Sequence, residues 1–127
     1  RFFPRHHCPP QLMAAHAAVQ EAQLAAIQAV RPGCPLGRLD SIAREVLRRH
    51  SLEVYFTHSL GHGIGLEIHE SPRIKEDGPD ASMLCQTGMV FTIEPGVYLP
   101  GIGGVRLEET ILVTDHGCEV LTVVPTA

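Results

Sequence analysis

The sequence has no excess of basic residues, no long apolar run and no paired cysteines, and each absence removes a class of protein. It contains 10 Lys and Arg against 14 Asp and Glu, for a formal net charge of −4, so we expect no nucleic-acid partner. No stretch approaches the roughly 20 apolar residues of a membrane span. A secretory signal pattern is also missing, and we expect neither membrane insertion nor secretion.

The four cysteines are far apart in the sequence and form no Cys-x-x-Cys pair. This spacing favours neither a thiolate zinc site nor a disulfide framework. Reduced thiols are typical of cytosolic proteins, so the sequence predicts a cytoplasmic location. The 127 residues, 44% of them hydrophobic, suffice for one domain with a core and predict a single unit over residues 1–127.

Apolar residues recur with a helical period in two stretches of the first half. The period predicts helices over Gln11–Val30 and Leu36–His50, separated by Arg31-Pro32-Gly33. The first helix should bury a stripe made of Leu12, Val19, Ile27 and Val30, with Met13 and Leu24 at its margin. The second should bury Leu39, Ile42, Ala43, Val46 and Leu47 and expose Arg38, Ser41, Arg44, Glu45 and Arg48.

The period changes to two after the helices, which predicts an α+β fold with two helices packed on a mainly antiparallel sheet. Residues 1–10 have no helical period and are interpreted as a strand end followed by a turn. A polar loop is predicted over Ser71–Gln86. The predicted strands are 53–57, the alternating residues 66–69, 89–94, 97–99, 105–114 and 118–124.

The densest chemistry lies between His58 and His69, where three imidazoles accompany three glycines. Glycines on both sides of His62 let another group approach that ring closely. Two carboxylates occur in comparable settings, because Glu94 ends a strand and Glu108 shares a strand face with Arg106. Each glutamate taken alone could be a strand-edge surface residue. Together, His62, Glu94 and Glu108 form a hard ligand set suited to Mn, Co, Zn or Fe.

Four ordered motifs resemble those of the Xaa-Pro aminopeptidase and prolidase family of metallopeptidases. They are His58-x-x-Gly61-His62-Gly63-Ile64-Gly65, Ile68-His69-Glu70-x-Pro72, Gly88-Met89-Val90-Phe91-Thr92-Ile93-Glu94-Pro95-Gly96 and Gly104-Val105-Arg106-Leu107-Glu108-Glu109. Nearly the whole chain takes part in the resemblance. It implies the C-terminal half of a pita-bread fold, with a curved sheet.

The resemblance also implies roles for individual residues. His62, Glu94 and Glu108 match metal ligands, with Glu108 bridging two divalent ions, Mn first and Co or Zn otherwise. His58 and His69 match histidines that contact substrate and stabilise the tetrahedral intermediate. Arg106 matches an arginine that either supports the ligands or orients the substrate, and Glu94 matches the residue that handles a proton of the attacking water. The implied substrate is a proline-containing peptide.

Two aspartate ligands of the family have no counterpart in this chain. Asp40, Asp77, Asp80 and Asp115 all stand outside the expected strand context. We therefore expect a truncated catalytic domain that holds at most one ion weakly and is inactive or nearly so. An apolar surface left uncovered should favour a homodimer. The alternatives are a non-enzymatic pita-bread module that binds peptides or proteins, and a metal-free relative of the creatinase type.

Overall fold

Two helices precede seven strands in the computed structural model of the protein, which describes residues 7–124. A short 3-10 helix, Glu53–Tyr55, lies between the two groups. The helices are α1 (Pro10–Ala29) and α2 (Leu36–Arg49). The strands are β1 (Gly61–Gly63), β2 (Glu70–Ile74), β3 (Val90–Ile93), β4 (Gly96–Leu99), β5 (Gly103–Arg106), β6 (Glu109–Val113) and β7 (Cys118–Val120).

Helix α1 packs on α2 through small side chains. Proline at its first position needs no hydrogen-bond acceptor, and the helix ends where Val30 turns extended. The predicted stripe faces the core, since Val19 and Val30 are buried and Leu12 and Ile27 pack against it partly buried, whereas the marginal Met13 and Leu24 are exposed and alanines fill most of the remaining contact. The buried residues of α1 are Ala15, Ala18, Val19, Ala22, Gln23 and Ala26.

Helix α2 buries four of the five predicted apolar positions, Leu39, Ala43, Val46 and Leu47, and leaves Ile42 half-buried. The prediction that Arg44 faces solvent is wrong, because Arg44 is only 8% exposed. Arg44 pairs with the fully buried Asp40, one helical turn earlier, at 2.9 Å between Nε and Oδ2. A helix-face pattern assigns charged positions to water and takes no account of such a partner.

The strands form a five-stranded antiparallel sheet in the order β2-β1-β3-β6-β7 and a separate β4–β5 hairpin. Helix α1 contacts both sheets. Fully buried side chains fill the space between the helices and the larger sheet, among them Leu36, Leu39, Leu60, Ile74, Phe91, Ile93 and Ile111. This arrangement confirms the predicted α+β class, with two helices against mainly antiparallel strands.

Several predicted strands are wrong in detail. Residues 53–55 form the 3-10 helix, the loop prediction over 71–86 overlooked β2, and the last strand is shorter than predicted. The return strand 105–114 is divided into β5 and β6, because the chain crosses from the hairpin to the larger sheet where Leu107 N–H donates to Pro95 O. The strand end predicted at the start of the chain lies largely outside the described residues.

Residues 66–69 form an exposed turn instead of a half-buried strand. Leu66 is fully exposed and Ile68 is largely exposed. Gly65 N–H donates to Glu67 O, and Glu67 N–H donates to the Glu70 carboxylate, so local bonds close the turn. The alternating apolar residues 66 and 68 therefore have no other part of the described chain packed over them. Within residues 7–124, neither helix is long and apolar enough to cross a membrane.

Cys34 and Cys85 are buried where the α1–α2 connection pairs with the segment before β3. Gly33 N–H donates to Cys85 O at 2.9 Å, and Cys85 N–H donates to Cys34 O at 2.8 Å. Burial, reinforced by the neighbouring Cys34, raises the pKa of the Cys85 thiol from 9.0 to about 11. The folded protein therefore holds this proton at a pH where the unfolded chain has lost it.

Stability should accordingly fall as the pH rises from about 9 to about 11, because the native state binds more protons than the unfolded state in this window. Urea unfolding of the reduced protein and of Cys85→Ala at pH 7.5, 9 and 10.5 isolates the effect from other titrating groups. The stability advantage of the unaltered protein over the variant should narrow by about 1–2 kcal/mol. An advantage that stays constant over this range would contradict the assignment.

Candidate metal centre

Strand β1 places His62 inside the larger sheet, between the edge strand β2 and the central strand β3. The strand lies so close to β3 that a Cβ on Gly61 would come within 1.8 Å of Thr92 O. Glycine at position 61 is therefore a steric requirement of this approach. His62 N–H donates to the Thr92 hydroxyl oxygen at 3.1 Å, which fixes the histidine backbone against β3.

The ring of His62 has a defined orientation. Its Nδ1 lies 2.9 Å from Gly63 O and must carry the proton, because a carbonyl oxygen can only accept. The other ring nitrogen, Nε2, lies 3.0 Å from Glu94 Oε1 and is the atom that would bind a metal ion. Histidine ligands of metals are commonly oriented in this way, by donating the other ring N–H to a carbonyl.

Glu94 follows the last residue of β3 and is held from several directions. The Thr92 hydroxyl donates to Glu94 Oε1 at 2.9 Å, and Glu94 N–H donates to Leu60 O at 2.7 Å. The buried side chain of Gln23 on α1 donates to Ile93 O at 3.3 Å, which ties the end of β3 to the helix. The Glu94 side chain is 13% exposed, so this residue is not a strand-edge surface glutamate.

Glu108 lies in the short link between β5 and β6, beside Arg106. The predicted common projection of the two side chains is confirmed by a distance of 3.4 Å between Arg106 Nη2 and Glu108 Oε2. Arg106 also reaches toward Glu94, with 3.8 Å between Nε and Oε2. The Glu108 side chain is 42% exposed, so it is more accessible to solvent than the side chains of His62 and Glu94.

Donor atoms of His62, Glu94 and Glu108 all lie within 4.8 Å of one another. One imidazole nitrogen and two carboxylates form a set that hard or borderline divalent cations prefer. The oriented His62 ring and the hydrogen-bonded Glu94 also supply the supporting contacts that such ligands usually have. The residues therefore fit a divalent metal ion.

The other predicted site residues surround the same space. A cavity of about 220 Å³ is lined by His58, Ser59, His62, His69, Glu94 and Arg106. A second cavity, of about 320 Å³, shares His62, His69, Glu94 and Arg106 and adds Glu108. The rings of His62 and His69 lie 4.3 Å apart between centroids. All six residues singled out in the sequence are thus brought together.

Sequence reasoning missed two polar partners, Thr92 and Tyr98. Thr92 is fully buried beneath the site, and the Tyr98 hydroxyl on β4 lies 2.7 Å from His58 Nε2. The signal was available for Thr92, because residues two apart in a strand share a face and Thr92 precedes Glu94 by two. Tyr98 lies on the separate hairpin, and its contact with His58 follows from the tertiary fold.

One imidazole and two carboxylates beside cavities lined by further histidines are typical of metal-dependent hydrolases. The sequence model of metallopeptidase family M24 matches residues 1–115, and the chain belongs to this family. Membership of a metallopeptidase family agrees with the presence of residues that fit a divalent metal ion.

Several of the similar proteins carry Xaa-Pro peptidase names. The Xaa-Pro dipeptidase of Pyrococcus furiosus is 53% identical over 104 residues, which are 82% of this chain and 29% of that protein. The solved prolidase from Pyrococcus furiosus matches with a TM-score of 0.87 and 45% identity, over 93% of this chain and 34% of that one. The X-Pro aminopeptidase from Thermotoga maritima MSB8 matches with a TM-score of 0.86 and 40% identity, over 94% and 33%.

These comparisons confirm the resemblance to the Xaa-Pro aminopeptidase and prolidase family and the assignment to a C-terminal portion of the pita-bread fold. The chain spans 29% of the length of the curated Pyrococcus furiosus relative that it matches.

Proposed function

We propose that this chain carries one wall of the active site of an Xaa-Pro peptidase, with His62, Glu94 and Glu108 as ligands of a divalent ion. The observation that carries the proposal is the convergence of these three donor groups within 4.8 Å. Mn²⁺ is the proposed ion, with Co²⁺ or Zn²⁺ as substitutes. Such an ion, when bound, polarises a carbonyl and lowers the pKa of water.

The remaining side chains act on the peptide. His58 and His69 line the cavity beside the ligands, and both are proposed to contact the peptide. His69 is the ring proposed to donate to the carbonyl oxygen of the bond before proline, where negative charge develops, because Ser59 O and the Tyr98 hydroxyl occupy both nitrogens of His58. Arg106 lies between Glu94 and Glu108 and orients both carboxylates. Glu94 Oε2 faces Arg106, whereas Oε1 faces Thr92 and His62, and this carboxylate is proposed to handle a proton of the attacking water.

We expect the chain to hold one ion and to hold it weakly. Within residues 7–124 the group of candidate ligands consists of one histidine and two glutamates, with no aspartate in it. Three protein ligands leave coordination positions open, and a second ion would share only Glu108 as proposed bridge. Isolated chain should therefore cleave Xaa-Pro bonds slowly or not at all.

An apolar loop next to the site supports the proposed self-association. Ile64, Leu66 and Ile68 are exposed on the turn that carries His69. Exposed apolar side chains that lie close together favour contact with another protein surface. A homodimer is the proposed outcome, and sedimentation of the purified chain would measure it.

The proposal is tested by titrating the metal-free chain with Mn²⁺ in a calorimeter and by assaying Xaa-Pro dipeptides and tripeptides with and without a chelator. One bound ion per chain, with cleavage near background, is expected. Absence of Mn²⁺, Co²⁺ and Zn²⁺ binding would overturn the metal site. Rapid, chelator-sensitive cleavage would overturn the expected inactivity, and metal-independent binding of proline peptides would favour the binding-module alternative.

A further inference from the structure

A buried ion pair on α2 lies beneath the segment that leads to His58. Asp40 is fully buried and Arg44 is 8% exposed. The guanidinium uses each of its nitrogens: Nε faces Asp40 Oδ2 at 2.9 Å, Nη1 donates to Phe56 O at 3.0 Å, and Nη2 donates to His58 O at 2.7 Å. Arg44 thus joins the helix to the backbone of a proposed substrate-contacting residue.

The same guanidinium reaches His58 by a second route. Its central carbon lies 4.3 Å from the centroid of the Phe56 ring. Phe56 in turn meets His58 edge to face, with ring centroids 5.0 Å apart and an interplanar angle of 89°. A planar fork of donors that also stacks on an aromatic ring is a property of arginine that lysine lacks.

Asp40 accepts hydrogen bonds from the Arg44 guanidinium and from the segment that follows β2. Its Oδ2 also accepts from Glu76 N–H at 2.8 Å, just beyond β2, whereas Oδ1 has no partner among the described residues. Burial raises the pKa of the Asp40 carboxyl, and the hydrogen bonds from the Glu76 amide and Arg44 oppose that rise. Apolar side chains often replace a buried ion pair without loss of stability. A contribution to stability is therefore a weak explanation for why Asp40 and Arg44 are buried here.

The imidazole of His58 is fixed at both nitrogens. Nδ1 lies 2.8 Å from Ser59 O and therefore carries the proton, and Nε2 accepts from the Tyr98 hydroxyl at 2.7 Å. Both contacts depend on where the backbone at residues 58 and 59 lies, and Arg44 bonds to the carbonyl of residue 58.

We propose that Arg44, oriented by Asp40, is a positioning residue that keeps the His58 imidazole as the Nδ1–H tautomer facing the cavity. Its importance for catalysis rests on the proposed function, because that proposal gives His58 its contact with substrate. The geometric effect on the ring requires neither metal nor substrate, and it is therefore measurable on the metal-free chain.

The test is the ring ¹⁵N spectrum of the histidines at pH 8 in the unaltered chain, Arg44→Lys and Asp40→Asn. The matched control is Arg48→Lys, one turn later on α2, where the arginine side chain is 61% exposed and lies 3.7 Å from Glu53. The unaltered chain and the control should show His58 as the Nδ1–H tautomer. In both test variants the tautomer ratio should fall by about fivefold or more, while the His62 ring keeps its tautomer.

An unchanged His58 tautomer in folded Arg44→Lys would overturn the proposal, and so would equal changes at His58 and His62, which would indicate general loosening. If the variants fail to fold, the same question is asked of the unaltered chain by proton NMR. The Arg44 guanidinium protons should exchange slowly with water and show nuclear Overhauser effects to Phe56 and His58, and fast exchange would overturn the proposal.

Arg44→Lys should bind Mn²⁺ like the unaltered chain. Failure of the unaltered chain to bind metal would defeat the proposed function and leave the tautomer result standing.

Discussion

Gly61→Ala is expected to unfold much of the protein, with a loss of more than about 4 kcal/mol in the free energy of unfolding. The added Cβ would lie 1.8 Å from Thr92 O and 2.7 Å from Thr92 C. Neither atom can retreat, because Thr92 lies in the middle of β3, which pairs with β1 on one side and with β6 on the other. Urea unfolding followed by circular dichroism measures the loss.

The matched control is Gly117→Ala, where an added Cβ would meet only Val30 O, at 3.9 Å. This is an ordinary van der Waals contact, and a change within about 1 kcal/mol is expected there. Equal unfolding midpoints for the two variants would show that β1 can move away from β3, and that the position of His62 is not sterically fixed.

Glu94→Gln is expected to lower the affinity for Mn²⁺ by more than about 100-fold, while the fold is kept. Loss of a residue that only supports a ligand typically costs 10–100-fold in affinity, and the proposed role of Glu94 is that of a ligand. The amide oxygen of glutamine can still accept from the Thr92 hydroxyl, which now donates to Glu94 Oε1. The affinity should therefore change far more than the stability.

Calorimetric titration of both Glu94→Gln and Glu119→Gln separates the ligand effect from the loss of one negative charge. Glu119 lies exposed on β7 and is not one of the three converging donors. The control should bind Mn²⁺ within a factor of about two of the unaltered chain, because exposed charges are well screened by salt. Equal affinities for the two variants would remove Glu94 from the proposed ligand set.

Local patterns predicted the helices well because each helix is defined by contacts close in sequence. The period of α2 correctly predicted burial for four of its five apolar positions, whereas Ile42 is only half-buried and Arg44, predicted to face solvent, is buried. Asp40, four residues earlier, was the available signal, since residues at this spacing are neighbours on a helix. Burial of both charges depends on Phe56, His58 and the segment after β2, which no local pattern describes.

The strands were predicted less well, because alternation indicates the period of a strand but not whether other residues pack over its apolar face. Residues 66–69 alternate as a half-buried strand would, yet they form an exposed turn closed by the Glu70 carboxylate. For the site, strand alternation correctly paired Arg106 with Glu108. The approach of His62 to both glutamates depends on the order of β1, β3 and β6 in the sheet, which the residues alone did not fix.

The placement of the three donors within β1, after β3 and before β6 has a consequence for the order of folding. Helices α1 and α2 are adjacent in sequence and can pair early, since their contacts close only a short loop. His62, Glu94 and Glu108 meet only after β1, β3 and β6 have formed in register across much longer loops. An ion would therefore find its ligands late: it would stabilise the finished sheet by mass action and would not guide the chain toward it.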